Sequence, residues 1–277
     1  MIRLFCSDFD NTLAYRGQVP PVNTKAVRAL QDAGVDFALV SGRMYANARE
    51  KMREYDMDGA VIAANGAYVT DGDGTVIQAD AFPDEALQAL TQLCDERHWL
   101  YWIYTEDMCF LPTLTLRFPG SWLLAKMIGK KMGAPLVKMH SVEEFLTRHA
   151  AYKVNVFPPK RKLEAAGELL RAGTAWSVTG STTRFFELSP RGVNKWTGVC
   201  ALAKAKGIAA EQIAAIGDFD NDEPMLRGAK RSFATQNANA RIQRIVGEMV
   251  GWAQEGGAAE AMRRVLAANQ RNEEMNE

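Results

Sequence analysis

Two aspartates, Asp8 and Asp10, stand two residues apart directly after the apolar run over residues 2–7. A second acidic group, Asp218 and Asp222, follows the apolar run over residues 212–216 and Gly217. One such cluster alone is more often a solvated loop or a helix cap, and Asp222 suits the start of a helix. Two clusters at two strand ends favour a shared cation, because carboxylates brought together repel unless a hard ion such as Mg2+ sits among them. Two further places carry chemistry of the opposite sign. Ser41 offers a hydroxyl, and Gly42 lets an anion approach the backbone where a helix begins. Lys195 offers a compact positive charge. Neither feature alone exceeds a common turn or a surface lysine.

These residues act together only if the fold brings them to one edge. Residues 2–7, 35–40 and 60–64 read as strands, with helical periods over 23–33 and 44–55 between them. The run over 35–40 is apolar throughout, as in a strand covered on both faces. "DGDG" at residues 71–74 reads as a hairpin turn. The pattern resumes with a helix over 195–206, a strand over 212–216 and helices over 223–228, 238–246 and 258–269; the polar end, "RNEEMNE", is expected to fray. The β-α-β order predicts an α/β fold, a doubly wound Rossmann-like parallel sheet, which binds ligands at the carboxyl ends of its strands. The middle differs. Aromatic, β-prone runs alternate with helical stretches over 84–96, 122–131, 142–149 and 160–172, an α+β pattern. Trp99, Trp102 and Tyr104 fit the core or sheet face of that insert better than a stacking platform. The expected division is a core of residues 1–82 plus 190–277, with an inserted domain over 83–189.

Composition narrows the class. The 277 residues hold 33 basic and 33 acidic side chains, so no global charge draws the chain to nucleic acid or an acidic membrane. The four cysteines have no metal-like spacing and the three histidines no ligand pattern. No apolar run approaches the ~18 residues of a membrane span. A cytoplasmic protein is expected.

In order, "DFDNTL", "SGR", "GVNK" and "GDFDND" resemble the four motifs of the haloacid-dehalogenase-like superfamily, and "NGA" at 65–67, "ELSPRGVNK" and "QNANARI" resemble its Cof-type branch, subfamily IIB. Departures are small: Asn11 stands where Gly is commonest and Asn194 where Ser is frequent. The resemblance implies a C2B-type α+β cap and a Mg2+-dependent phosphatase acting on a small phosphorylated metabolite, a sugar phosphate by default. It implies Asp8 as nucleophile and Asp10 as general acid/base. The phosphate would be held by the Phe9 backbone, Ser41, Gly42, Lys195 and Asn221. The metal would be held by Asp8, Asp10 (through its carbonyl) and Asp218, with Asp222 and Thr12 in support. Transfer to an acceptor other than water, as in a phosphomutase, and a weakly catalytic phosphate-ligand binder remain alternatives.

Overall fold

The computed structural model describes residues 1–113, 135–181 and 184–275. The helix expected over 122–131 lies outside the described residues. In chain order the strands and helices are β1 (Leu4–Asp8), α1 (Pro21–Asp32), β2 (Asp36–Val40), α2 (Tyr45–Glu54), β3 (Ala60–Ala63), β4 (Tyr68–Thr70), β5 (Val76–Ala79), α3 (Asp84–Glu96), β6 (Leu100–Tyr104) and β7 (Cys109–Pro112). Then come β8 (Leu136–Met139), α4 (Val142–Leu146), β9 (Lys153–Phe157), α5 (Leu163–Ala172), β10 (Trp176–Ser181), β11 (Phe186–Pro190), α6 (Lys195–Ala205), β12 (Ile213–Gly217), α7 (Glu223–Gly228), β13 (Arg231–Thr235), α8 (Ala240–Ile245), β14 (Glu248–Val250) and α9 (Gly257–Glu274). The chain forms two compact units: Met1–Gly42, Ala48–Gln78 and Asn194–Glu277 make the first, Arg43–Asn47 and Ala79–Val193 the second.

The first unit is built on an eight-stranded sheet in the order β14-β13-β12-β1-β2-β3-β4-β5. The six strands from β14 to β3 run parallel, and β4 turns antiparallel to β3. Every residue of β1 and β12 is buried, as expected for parallel strands covered on both faces. On one face Leu4, Cys6, Ala38, Val40, Ile62 and Ala215 pack with Val199 and Leu202 of α6 and Met225 and Leu226 of α7. Each large apolar side chain buried there contributes about 1.5–3 kcal/mol. Helix α9 is tied to the entry of β1 by the buried Asn269, whose amide accepts from Ile2 N–H and donates to Ile2 C=O, both at 2.8 Å.

Two local expectations need correction. Helix α9 continues to Glu274, through most of the tail expected to fray. Its apolar stripe of Ala258, Ala261, Met262 and Val265 anchors one face, and good helix formers extend it beyond that contact. Strands β13 and β14 also form where the sequence shows no apolar run. Arg231 on β13 pairs with Glu248 on β14, and Arg264 of α9 also bonds Glu248. Arg231, Ser232 and Glu248 interrupt the buried Phe233, Ala234 and Val250, so neither short strand shows a continuous apolar run.

The second unit holds a six-stranded sheet, β10-β11-β9-β6-β7-β8, antiparallel except where β7 and β8 run parallel. One face buries Tyr101, Ile103, Val154, Val156 and Leu188 against Leu87 and Leu90 of α3, Phe145 of α4 and Leu170 of α5. Trp99 joins this core. Trp102 and Tyr104 alternate onto the other face, where Trp102 meets Phe157 with ring centroids 4.9 Å apart.

Replacing Asn269 by Ala strands two buried backbone groups of Ile2. The Asn269→Ala variant is expected to lose about 1–3 kcal/mol of stability, read as a lowered urea midpoint.

Candidate active site

The first unit gathers its reactive side chains at the carboxyl ends of β1, β2 and β12 and at the start of α6. Strand β1 ends at Asp8, and the chain folds back at once: Leu13 N–H donates to Asp8 C=O and Ala14 N–H to Phe9 C=O. Phe9 is fully buried beneath this turn, while Asp10 is exposed at its tip. Asn11 sits at φ 60°, a left-handed conformation that Gly and Asn tolerate, which accounts for Asn where Gly is commonest. The buried Asn23 donates to Leu13 C=O and accepts from Ala259 N–H, fixing the turn to α1 and α9.

Strand β12 ends at Gly217 for a steric reason. A Cβ there would lie 2.5 Å from Cγ of Asp222. Without it, the Asp222 carboxylate folds back and its Oδ2 accepts from Asp218 and Phe219 N–H, both at 3.0 Å. Lys195 is aimed by its helix. Asn194 caps α6, accepting from Trp196 and Thr197 N–H, while Thr197 Oγ1 accepts from Asn194 N–H. Asn therefore does the capping work expected of Ser at this position.

Lys195 Nζ then bonds Asp8 Oδ1 and Asp222 Oδ1, each at 2.6 Å, and is 0% exposed. Thr12 Oγ1 donates to Asp218 Oδ1 at 2.7 Å. Ligand oxygens of Asp8, Asp218 and Asp222 all lie within 4.8 Å of one another. Two of the three clustered carboxylates thus bond one ammonium. Burial pushes the Asp8 carboxyl well above the usual carboxylate range; Lys195 opposes this, while Asp222, Asp218 and Asp10 add to it. Asp218 is pushed up to about 7 by burial and then by Asp222, against the pull of Thr12 and Lys195. Burial disfavours the Lys195 ammonium, but Asp222 and Asp8 outweigh it and hold the group above the ordinary lysine range.

The three carboxylates are not equivalent. Both oxygens of Asp222 are committed to the protein, one to Lys195 and one to two backbone N–H groups. Asp8 and Asp218 each use Oδ1, and among the described residues no donor reaches their Oδ2 atoms. Two buried carboxylate oxygens, with no imidazole or thiolate beside them, suit a hard divalent cation.

The remaining expected residues lie on the anion side. Ser41 is buried at the end of β2, and Gly42 follows it, half-buried. Ser41 C=O accepts from Asn65 N–H at 3.0 Å, and Asn221 Nδ2 donates to Asn65 Oδ1 at 3.1 Å. Asp8, Thr12, Lys195, Asp218 and Asp222 therefore form one bonded cluster, and Ser41 and Asn221 are joined through Asn65. Asn65 carries no role in the sequence reading, where it stands only within the "NGA" run at 65–67.

Comparison with known proteins identifies the family. Residues 5–262 match the family model of the haloacid dehalogenase-like hydrolases. Phosphatase YwpJ of Bacillus subtilis (strain 168) is 24% identical over 291 residues, spanning 96% of this chain and 100% of the relative. A haloacid dehalogenase-like hydrolase structure from B. subtilis superposes with a TM-score of 0.83 at 24% identity, covering 95% of this chain and 99% of that one. The subclass IIB sugar phosphatase BT4131 superposes with a TM-score of 0.78 at 22% identity, covering 95% and 98%. The chain belongs to the haloacid dehalogenase-like hydrolases, and its class of reaction is the hydrolysis of phosphoric monoesters. Its fold is the one expected, a doubly wound α/β core with an α+β insert. Among the described residues no helix is long and apolar enough to cross a membrane.

The raised Asp8 and Asp218 carboxyls set a pH dependence. Between the unfolded carboxylate value near 4 and about 7, the folded protein binds more protons than the unfolded chain. In chelator, the stability that Asp218 contributes is fully present below about pH 4 and is lost as pH rises through about 7, and the raised Asp8 carboxyl acts in the same direction. The thermal midpoint of the chelated protein is expected to fall across that interval. In Asp218→Asn the fall should be shallower.

Proposed function

We propose that the chain is a Mg2+-dependent phosphatase of a small phosphorylated metabolite, a sugar phosphate by default, working through an aspartyl-phosphate on Asp8. The observation that carries this reading is the short bond from the buried Lys195 to one oxygen of Asp8. That bond fixes the orientation of the Asp8 carboxylate at the strand end. A carboxylate oxygen of Asp8 forms a bond to phosphorus as the ester P–O bond breaks, and Asp10 delivers a proton to the departing alkoxide. Water then attacks the same phosphorus, Asp10 takes its proton, and the bond from phosphorus to Asp8 breaks to release inorganic phosphate. Asp10 is the exposed member of the acidic group, which suits a residue that trades protons with a leaving group and with water.

Ser41, Lys195 and Asn221, with the backbone N–H groups of Phe9 and Gly42, would hold the phosphate oxygens. Lys195 keeps its charge across the working pH range, since its neighbours raise it above the ordinary lysine value. Asp8, Asp218 and the Asp10 carbonyl would hold Mg2+, with Thr12 and Asp222 bracing Asp218. When bound, Mg2+ keeps Asp8 ionised against its raised pKa and offsets repulsion between carboxylate and phosphate.

The test is phosphate release from a panel of phosphorylated sugars and an aryl phosphate, with Mg2+ and with chelator. Turnover is expected only with Mg2+, to vanish in Asp8→Asn, and to fall roughly 100- to 10,000-fold in Asp10→Asn. Turnover that survives in Asp8→Asn would sink the covalent route.

A further inference from the structure

One three-residue turn touches the carriers of three separate anion-binding groups. Ala64, Asn65 and Gly66 follow β3 with φ of 48°, 56° and 102°. Two of the three are not glycine, so the fold holds a backbone shape that side chains disfavour. All three are buried, and Asn65 is 0% exposed. From this turn Asn65 N–H donates to Ser41 C=O, and Asn65 Oδ1 accepts from Asn221 Nδ2. Gly66 seats the same turn under α6. A Cβ on Gly66 would lie 2.1 Å from Asn194 C=O and 3.3 Å from Lys195 N. Gly198, one turn along α6, completes the seat: its own Cβ would come within 2.8 Å of Gly66 Cα.

We propose that Asn65 is a positioning residue for phosphate binding, acting through Asn221 and Ser41. This rests on the reading of Ser41, Asn221 and Lys195 as the phosphate-holding groups. The chemistry lies in the Asn221 amide. A side-chain amide presents either its oxygen or its NH2 to a ligand, and only the NH2 attracts an anion. By accepting one Nδ2–H, Asn65 Oδ1 settles which end of the amide faces it. The other hydrogen on the same nitrogen remains as the donor to phosphate. The Asn65 backbone N–H meanwhile anchors the end of β2 that carries Ser41. The left-handed backbone explains the residue type: Asn tolerates φ 56° and also supplies the acceptor, whereas Gly tolerates the backbone alone.

The test is a double-mutant cycle of Asn65→Gly and Asn221→Ala. It reads inorganic phosphate affinity in the presence of Mg2+ by titration calorimetry, with KM and kcat for an aryl phosphate alongside. Gly keeps the turn and its N–H bond to Ser41 while deleting only the amide. Asn65→Gly is expected to weaken phosphate binding about 10-fold, the scale of one hydrogen bond, and to raise KM more than it lowers kcat. In the Asn221→Ala background the same change should cost less than about 2-fold. Wild-type phosphate affinity in Asn65→Gly would overturn the proposal, as would full additivity of the two losses. Unchanged phosphate affinity in Asn221→Ala alone would also overturn it, by removing the assignment of Asn221 on which it stands. Loss in both single variants with strong non-additivity supports it.

Discussion

The site depends on a buried lysine. Lys195 has no solvent around its ammonium, and removing such a charge from water costs several kcal/mol unless partners replace the lost hydration. Asp8 and Asp222 do so, each with a 2.6 Å bond. Much of the local structure follows from holding that triad. Asn194 caps α6 so that Lys195 starts the helix at a fixed height, and Gly217 clears the space into which Asp222 folds. The two backbone N–H groups on the far oxygen of Asp222 keep it from rotating away. Loss of either carboxylate would leave a buried charge half-compensated, so the cluster behaves as one unit.

The same cluster is electrostatically frustrated. Lys195 offsets part of the negative charge, but Asp8 and Asp218 remain raised because burial and neighbouring carboxylates act in the same direction. The parallel strands hold these groups together against that repulsion, for β1 and β12 are hydrogen-bonded neighbours with every residue buried. A fold that maximised stability alone would place apolar residues there. Keeping acids in such a place makes sense where a cation and a phosphate will share the space.

Much of this was legible from residue type and spacing. Strand ends mark themselves by an apolar run followed by Gly, Ser or Asp, and the reactive residues stand at those ends. Asp8, Asp218 and Asp222 could therefore be placed together from their strand ends, whereas Lys195, at the start of a helix, joined them only through the motif resemblance. What stayed hidden has a physical cause in each case. The strands β13 and β14 are short, and Arg231, Ser232 and Glu248 interrupt their buried apolar residues, so neither shows a continuous apolar run. Helix α9 outruns its apolar face because helix propensity carries the polar residues on. Asn65 was visible only within the "NGA" run, with no role attached, since its bonds to Ser41 and Asn221 join segments far apart in the chain.

Proximity alone does not separate the acids. Asp222 lies as close to Asp8 and Asp218 as they do to each other, and by distance it is an equal candidate for a cation. Counting bonds separates them. Asp222 gives one oxygen to Lys195 and the other to two N–H groups, whereas Asp8 and Asp218 each bring one oxygen without a protein donor among the described residues. A cation arriving at Asp222 would have to displace short bonds that also fix Lys195. At Asp8 and Asp218 it would relieve the repulsion that raises both carboxyls. The division follows from which atoms are already spoken for: Asp222 builds the site, and Asp8 and Asp218 are left able to bind within it.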